Sequence, residues 1–110
     1  IRKTEEQGVT ILAPDGRLDS NSAPLLEQEI GLIGFDDNGH HLLLDFSRVE
    51  YISSAGLRVV LKTVKERQAA SKSFAVSNMQ DHVREVFEIS GFDSYVTIHP
   101  DTPQALENFK

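Results

Sequence analysis

The fold is decided around residues 45–57, which read Asp45-Phe46-Ser47-Arg48-Val49-Glu50-Tyr51-Ile52-Ser53-Ser54-Ala55-Gly56-Leu57. The run that leads into them, His41-Leu42-Leu43-Leu44-Asp45-Phe46, is typical of a strand covered on both faces. After a predicted loop over 47–53, apolar residues recur at helical spacing from Ser54 or Ala55 to Ala70. The stretch therefore predicts a central strand, a loop and a strong helix, in that order.

Outward from this stretch, predicted strands and helices alternate along the chain. The strands cover 9–12, 73–77 and 95–98, with a candidate edge strand at 1–7 and a turn at Pro14-Asp15-Gly16. The other helices start near Ser22 and cover 81–90 and 102–109. This alternation is typical of an α/β domain with crossover connections.

Composition and charge exclude several classes of protein. The 110 residues predict one domain, 1–110, and the absence of cysteine excludes disulfide scaffolds, thiolate zinc sites and cysteine nucleophiles. With 17 acidic and 11 basic residues, the net charge is −6, so neither nucleic acid nor an anionic membrane is expected as a direct partner. No stretch is apolar enough for a membrane span or a signal peptide, so we expect a cytoplasmic location.

The sequence also lacks the motifs of cofactor and metal chemistry. Neither glycine-rich phosphate loop is present, and the histidines lack ligand spacing: His40, His41, His82 and His99. No metal, cofactor or catalytic residue is therefore predicted. Ser54-Ala55-Gly56 matches half of a hydrolase nucleophile elbow, but Ile52 stands where the first glycine is needed, which leaves a serine hydrolase as a minor alternative.

Two adjacent serines stand where the predicted helix begins. In a purely structural interpretation, Ser54 caps the helix, Gly56 permits close packing, and Asp45 ends the strand by accepting hydrogen bonds from loop N–H groups. In a functional interpretation, the unpaired N–H groups and the dipole of the same helix end favour an anion. A phosphate on Ser54 would add about −1.5 to −2 charges at pH 7 without disturbing the core. Residue types alone leave both interpretations open.

Several short matches in the right order resemble the STAS domain family, which includes the bacterial anti-sigma factor antagonists and the cytoplasmic domains of sulphate transporters. In chain order, the matches are Gly16-Arg17-Leu18-Asp19, then Asp45-Phe46-Ser47 with Tyr51-Ile52-Ser53-Ser54-Ala55-Gly56-Leu57, and finally Val83-Arg84-Glu85-Val86-Phe87 with Gly91-Phe92. The resemblance covers essentially the whole chain. It implies a single STAS-like α/β domain with a mixed sheet of four to five strands and about four helices.

The resemblance also implies a function without catalysis. In the antagonists, a serine kinase that is itself the anti-sigma factor phosphorylates a serine of this motif, the unphosphorylated form binds that factor, and a serine phosphatase restores it. The motif makes Ser54 the acceptor here, with Ser53 where the antagonists commonly have aspartate. We expect partner contacts from the surrounding residues, which are Asp19, Ser20, Ser53, Ala55, Gly56 and Arg58.

A second hypothesis is a non-enzymatic STAS interaction domain of a larger protein, such as an anion transporter or a multidomain sensor. The family includes members that are never phosphorylated and serve only as interaction domains. The chain begins with Ile1 rather than methionine, which is compatible with a trimmed chain or with a segment of a longer protein.

Overall fold

The computed structural model describes residues 1–33 and 41–109, so His40 lies outside the described residues. The described elements are β1 (Arg2–Glu6), β2 (Val9–Ala13), β3 (Asp15–Leu18), α1 (Ala23–Ile33), β4 (His41–Asp45), β5 (Arg48–Ile52), α2 (Ser54–Ala69), β6 (Phe74–Ser77), α3 (Asp81–Ile89), β7 (Ile98–His99) and α4 (Thr102–Asn108). A 3₁₀ turn, Phe92–Ser94, lies between α3 and β7.

The main sheet has five strands in the order β1-β2-β4-β6-β7. Strand β1 pairs antiparallel with β2 at one edge, and the other pairings are parallel. The predicted central strand is confirmed, because β4 lies in the middle and Leu42, Leu43 and Leu44 are fully buried. The predicted α/β fold with a mixed sheet and four helices is also confirmed.

The two faces of the sheet support two apolar clusters. Because side chains alternate along a strand, Leu42 and Leu44 pack in the larger cluster, whereas Leu43 packs in the smaller one. The larger cluster takes its helical side chains from α1, α2 and α3, and the smaller one takes them from α4. Each fully buried leucine is worth about 1.5–3 kcal/mol relative to exposure, so β4 anchors both layers.

The predicted loop over 47–53 is wrong, because residues 48–52 form β5. This strand pairs in parallel with β3 to make a second sheet of two strands. Val49 and Ile52 are buried three residues apart, so the strand lacks the strict alternation by which strands are recognised. The predicted turn at Pro14-Asp15-Gly16 also falls partly in a strand, with the register irregularity of β3 next to Gly16, whose φ is +78°.

The predicted strand over 95–98 is displaced toward the C-terminus. Tyr95 follows the 3₁₀ turn and is 66% exposed, and only Ile98 and His99 pair with β6. The strand starts late because the chain first completes this turn, with Tyr95 N–H donating to the Phe92 carbonyl over 3.0 Å. The turn leaves Phe92 and Tyr95 beside α2, which matters for the surface described below.

Candidate functional site

The site is built at the N-terminal end of α2, where Ser53 rather than Ser54 caps the helix. Ser53 is extended (φ −97°, ψ 177°), and its hydroxyl accepts a hydrogen bond from Gly56 N–H over 3.4 Å. Its carbonyl accepts one from Leu57 N–H over 2.9 Å, which begins the helical ladder. The expectation that Ser54 caps the helix is therefore wrong. Two adjacent serines are equally good caps by residue type, and the extended backbone falls on the first of them.

Gly56 holds this helix end tightly against β3. A Cβ atom at Gly56 would lie 2.7 Å from Ile52 Cγ1 and 2.8 Å from the Leu18 carbonyl oxygen, distances that no side chain tolerates. The backbone N–H of Ser53 also donates to the Leu18 carbonyl over 2.8 Å. Gly56 is buried, which confirms the close packing that the structural interpretation of the sequence gave it, and its place among the partner contacts stays a prediction.

Ser54 occupies the first position of α2 and is exposed. Its hydroxyl makes no hydrogen bond to another residue within 1–33 and 41–109. The first turn of a helix presents N–H groups without helical partners and the positive end of the dipole, so negative charge is favoured at this point. Chemically, Ser54 is an accessible hydroxyl at a position that accommodates an anion.

Asp19 lies in the turn that leads into α1. Its Oδ1 accepts hydrogen bonds from the N–H groups of Asn21 (3.0 Å) and Ser22 (3.2 Å), and its Oδ2 lies 3.7 Å from Arg17 Nε. The hydrogen bond from Asn21 is the main reason that the pKa of Asp19 lies below its usual value. The carboxylate thus fixes this turn, and the neighbouring Ser20 is exposed.

A contact between β3 and β5 was not predicted from the sequence. The guanidinium carbon of Arg17 lies 4.1 Å from the ring centroid of Tyr51, a cation–π contact at a surface where both side chains are exposed. The two residues are register partners in the small parallel sheet. Because the sequence suggested a loop over 47–53, it offered no pairing from which to find this contact.

Arg58 connects two grooves that flank α2. Ser20, Ala55 and Arg58 line the groove between α1 and α2. Ser54 and Arg58 line a second groove, which extends toward the 3₁₀ turn. Four of the predicted site residues thus line these two grooves, and the half-buried Asp19 and Ser53 immediately precede Ser20 and Ser54 in the chain. We call these six residues the α2 amino-terminal surface: Asp19, Ser20, Ser53, Ser54, Ala55 and Arg58.

Asp45 has the structural role that the sequence suggested. Its Oδ1 accepts hydrogen bonds from Ser47 N–H (3.0 Å) and from the side-chain amide of Asn78 (3.1 Å), so it ties the end of β4 to the segment after β6.

Within the described ranges, no group of three histidine, aspartate or glutamate residues is arranged to hold a metal ion. No helix among the described residues is long and apolar enough to cross a bilayer.

Comparison with known proteins agrees with the motifs and the fold. The sequence model of the STAS domain family matches residues 1–105 of the chain. The chain is 38% identical over 103 residues to the "Putative anti-sigma factor antagonist BtrV" of Bordetella bronchiseptica, covering 94% of this chain and 88% of the relative. It is 30% identical to the anti-sigma-F factor antagonist RsfB of Mycobacterium tuberculosis, covering 90% and 83%.

A solved structure extends the likeness to three dimensions. An anti-sigma factor antagonist from Mycobacterium paratuberculosis has a TM-score of 0.84 and 28% identity, covering 97% of this chain and 90% of that one. The motif around Ser54, the mixed sheet and the sequence comparisons thus agree along nearly the whole chain. The chain belongs to the STAS domain family.

Proposed function

We propose that the chain is an anti-sigma factor antagonist that uses the α2 amino-terminal surface to bind an anti-sigma factor. In this proposal, the anti-sigma factor is also a serine kinase, and its phosphorylation of Ser54 ends the binding. The names of the relatives support the general role. The observation that carries the switch is the exposed Ser54 hydroxyl at the first position of α2, without a hydrogen-bond partner among the described residues.

A phosphate at Ser54 leaves the fold intact for a physical reason. The side chain points to solvent, and the added charge lies at the positive end of the helix dipole. Arg58, one turn further along α2, is exposed and makes no ion pair with another described residue, so it is available to a negative group at Ser54. The phosphate therefore changes the surface that a partner contacts and leaves the core unchanged.

The partner loses affinity because its own groups must accommodate the new charge. About −1.5 to −2 charges in the middle of a contact surface repel acidic groups, and they cost desolvation where no cation pairs with them. A serine phosphatase then regenerates the binding form. The proposal requires no cofactor, no nucleic acid and no membrane, and it places the protein in the cytoplasm.

The test is phosphorylation of the purified chain by the anti-sigma factor kinase of the same organism in the presence of ATP. Intact-mass spectrometry should show one added phosphate, and peptide mapping should place it on Ser54. The Ser54→Ala variant should stay unmodified, and the matched Ser53→Ala variant should be modified. Phosphate on Ser53, or a full mass shift in the Ser54→Ala variant, would contradict the assignment.

Binding is measured separately on the same variants. Ser54→Ala should bind the kinase as the native chain does, because it retains a small neutral side chain. Ser54→Glu should weaken binding at least about tenfold, which corresponds to about 1.4 kcal/mol. Equal affinities of the Ala and Glu variants would exclude a switch and favour the alternative, a STAS interaction domain of a larger protein.

A further inference from the structure

A continuous groove runs along α2 from its N-terminal end. Its first section has a volume of about 530 Å³ and is lined by Ser54, Leu57, Leu61 and Phe92. Its second section, of about 400 Å³, shares Leu61 and Phe92 and continues to Tyr95. The lining residues of α2 extend from position 54 to 68, which at 1.5 Å per residue is about 21 Å. The groove therefore has the length of a helix of about four turns.

The floor of this groove is apolar and partly open to solvent. Leu57 is buried, Leu61 and Phe92 are half-buried, and Tyr95 at the far end is 66% exposed. Aromatic residues beside an apolar groove are typical anchors of protein–protein contacts, because they bury a large area at a low cost in side-chain entropy. A helix that lays an apolar face into such a groove is a recurring mode of recognition.

The rim of the groove carries positive charge on an otherwise acidic protein. Arg58, Lys62 and Lys65 line it along α2, whereas the whole chain has a net charge of −6. Lys62 is already engaged by Glu27 (2.6 Å) and by Glu66 (3.8 Å), and Glu66 is the carboxylate in the lining. Within the described ranges, Arg58 and Lys65 make no ion pair, so two cations remain available to a ligand.

We propose that this groove binds an acidic amphipathic helix of the partner, with the apolar face on Leu61, Phe92 and Tyr95 and the carboxylates on Arg58 and Lys65. The inference rests on the proposed function in one respect, namely that the helix belongs to the anti-sigma factor. The position of Ser54 at one end of the groove then explains how the switch acts. A phosphate there repels the acidic helix and competes with it for Arg58, one turn away.

The charge pattern distinguishes this occupant from other apolar ligands. A purely apolar helix would gain nothing from the rim, and a basic helix would meet the unpaired cations Arg58 and Lys65 directly. The groove between α1 and α2 is the competing location, because Arg58 also lines it. Its charged lining is Glu27, Arg58 and Lys62, of which Glu27 and Lys62 pair with each other. Without Lys65, Phe92 and Tyr95, it offers an acidic helix one available cation instead of two and no aromatic anchor.

The experiment uses the unphosphorylated chain and two synthetic helical peptides of about 15 residues. Both carry leucines on one face. The first has flanking glutamates, and the second has lysines in their place. Titration followed by amide chemical shifts should show binding of the acidic peptide only, with the largest shifts at Leu61, Lys65, Phe92 and Tyr95. Binding of both peptides alike, or shifts confined to the α1–α2 groove, would overturn the proposal.

Three variants sharpen the test without touching the core. Lys65→Glu should weaken binding of the acidic peptide about two- to fivefold, and Tyr95→Ala about fivefold or more. Lys3→Glu is the matched control, since it makes the same change in net charge on the exposed edge strand β1. If the Lys3→Glu and Lys65→Glu variants lost affinity for the acidic peptide equally, only the total charge of the chain would matter, and the groove proposal would fail.

The result of the peptide titration can be distinguished from the result of the phosphorylation test. Mapping of phosphate to Ser54 by mass spectrometry needs no peptide and no groove. Conversely, the peptide titration needs no kinase. If phosphorylation is found and the acidic peptide does not bind, the groove is wrong and the switch stands. If the peptide binds as expected and Ser54 is never modified, the switch is wrong.

Discussion

The ammonium nitrogen of Lys62 lies 2.6 Å from Oε2 of Glu27, so an exposed ion pair joins α2 to α1. The hydrogen bond to Glu27 favours the charged ammonium and raises the pKa of Lys62 above the ordinary value of 10.5. A raised pKa in the folded state means that the contribution to stability is fully present below 10.5 and is lost as the pH rises through the folded value.

We expect Lys62→Met and Glu27→Gln to destabilise the chain slightly at neutral pH, and their effects should not add. A double-mutant cycle by urea unfolding measures the coupling between the two side chains. The coupling should decline when the cycle is repeated above pH 10.5. A coupling that stays constant across this range would show that the charge of the Lys62 ammonium group does not contribute to it.

Gly56→Ala should destabilise the fold by about 1–3 kcal/mol, because the new methyl group would overlap Ile52 and the Leu18 carbonyl. The matched control is Gly31→Ala, in α1, where a Cβ atom meets nothing within 4 Å. That change should stabilise the chain by up to about 1 kcal/mol, since alanine favours the helix. Chemical unfolding of both variants checks the contrast, and a neutral Gly56→Ala would contradict the close approach of α2 to β3.

The two serines at the start of α2 should differ in their effect on stability. Ser53→Ala removes the side-chain cap and should cost about 0.5–2 kcal/mol, with the 3.4 Å bond to Gly56 N–H favouring the lower end. Ser54→Ala removes no hydrogen bond to a described residue and should be close to neutral. Thermal unfolding of the two variants side by side decides this. A larger loss in Ser54→Ala would make Ser54 the cap after all.

The free energy of unfolding should decrease in acid because Asp19 becomes protonated there. Its pKa is lowered mainly by the hydrogen bond from Asn21 N–H, so its contribution is present above the ordinary value of 3.8 and is lost as the pH falls through the folded value. We expect the native chain to be more stable than Asp19→Asn at neutral pH, with the gap closing in acid. Denaturant midpoints across this pH range test it. A gap that is independent of pH would mean that ionisation of the Asp19 carboxyl does not contribute to stability.

The parts of the fold that periodicity encodes were predictable from the sequence. The run Leu42-Leu43-Leu44 predicted the central strand correctly, because β4 is buried on both faces and strands of this kind are rich in consecutive apolar residues. Strand β5 was missed because only Val49 and Ile52 face the core, and its pairing with β3 depends on residues about 30 positions away. Local patterns carry no information on such a contact.

The candidate site was predictable to the level of residue types and not of geometry. The sequence located Ser53 and Ser54 at a helix start, but the choice of cap depends on which backbone is extended, and the bond from Ser53 N–H to Leu18 fixes that. The sequence suggested both close packing and a partner contact for Gly56, and it did not identify the residue against which Gly56 packs. Its burial follows from a close approach of β3 that no short-range pattern encodes.

The close packing of α2 against β3 makes the segment around Ser53 and Ser54 rigid. With Ser53 bonded to the Leu18 carbonyl and Gly56 against the same residue, the backbone around Ser54 is already ordered before any partner arrives. A partner then pays little entropy to order this segment. In the proposed switch, a kinase recognises Ser54 on this folded surface, so a short peptide with the same sequence would be a poor substrate because it lacks the surface.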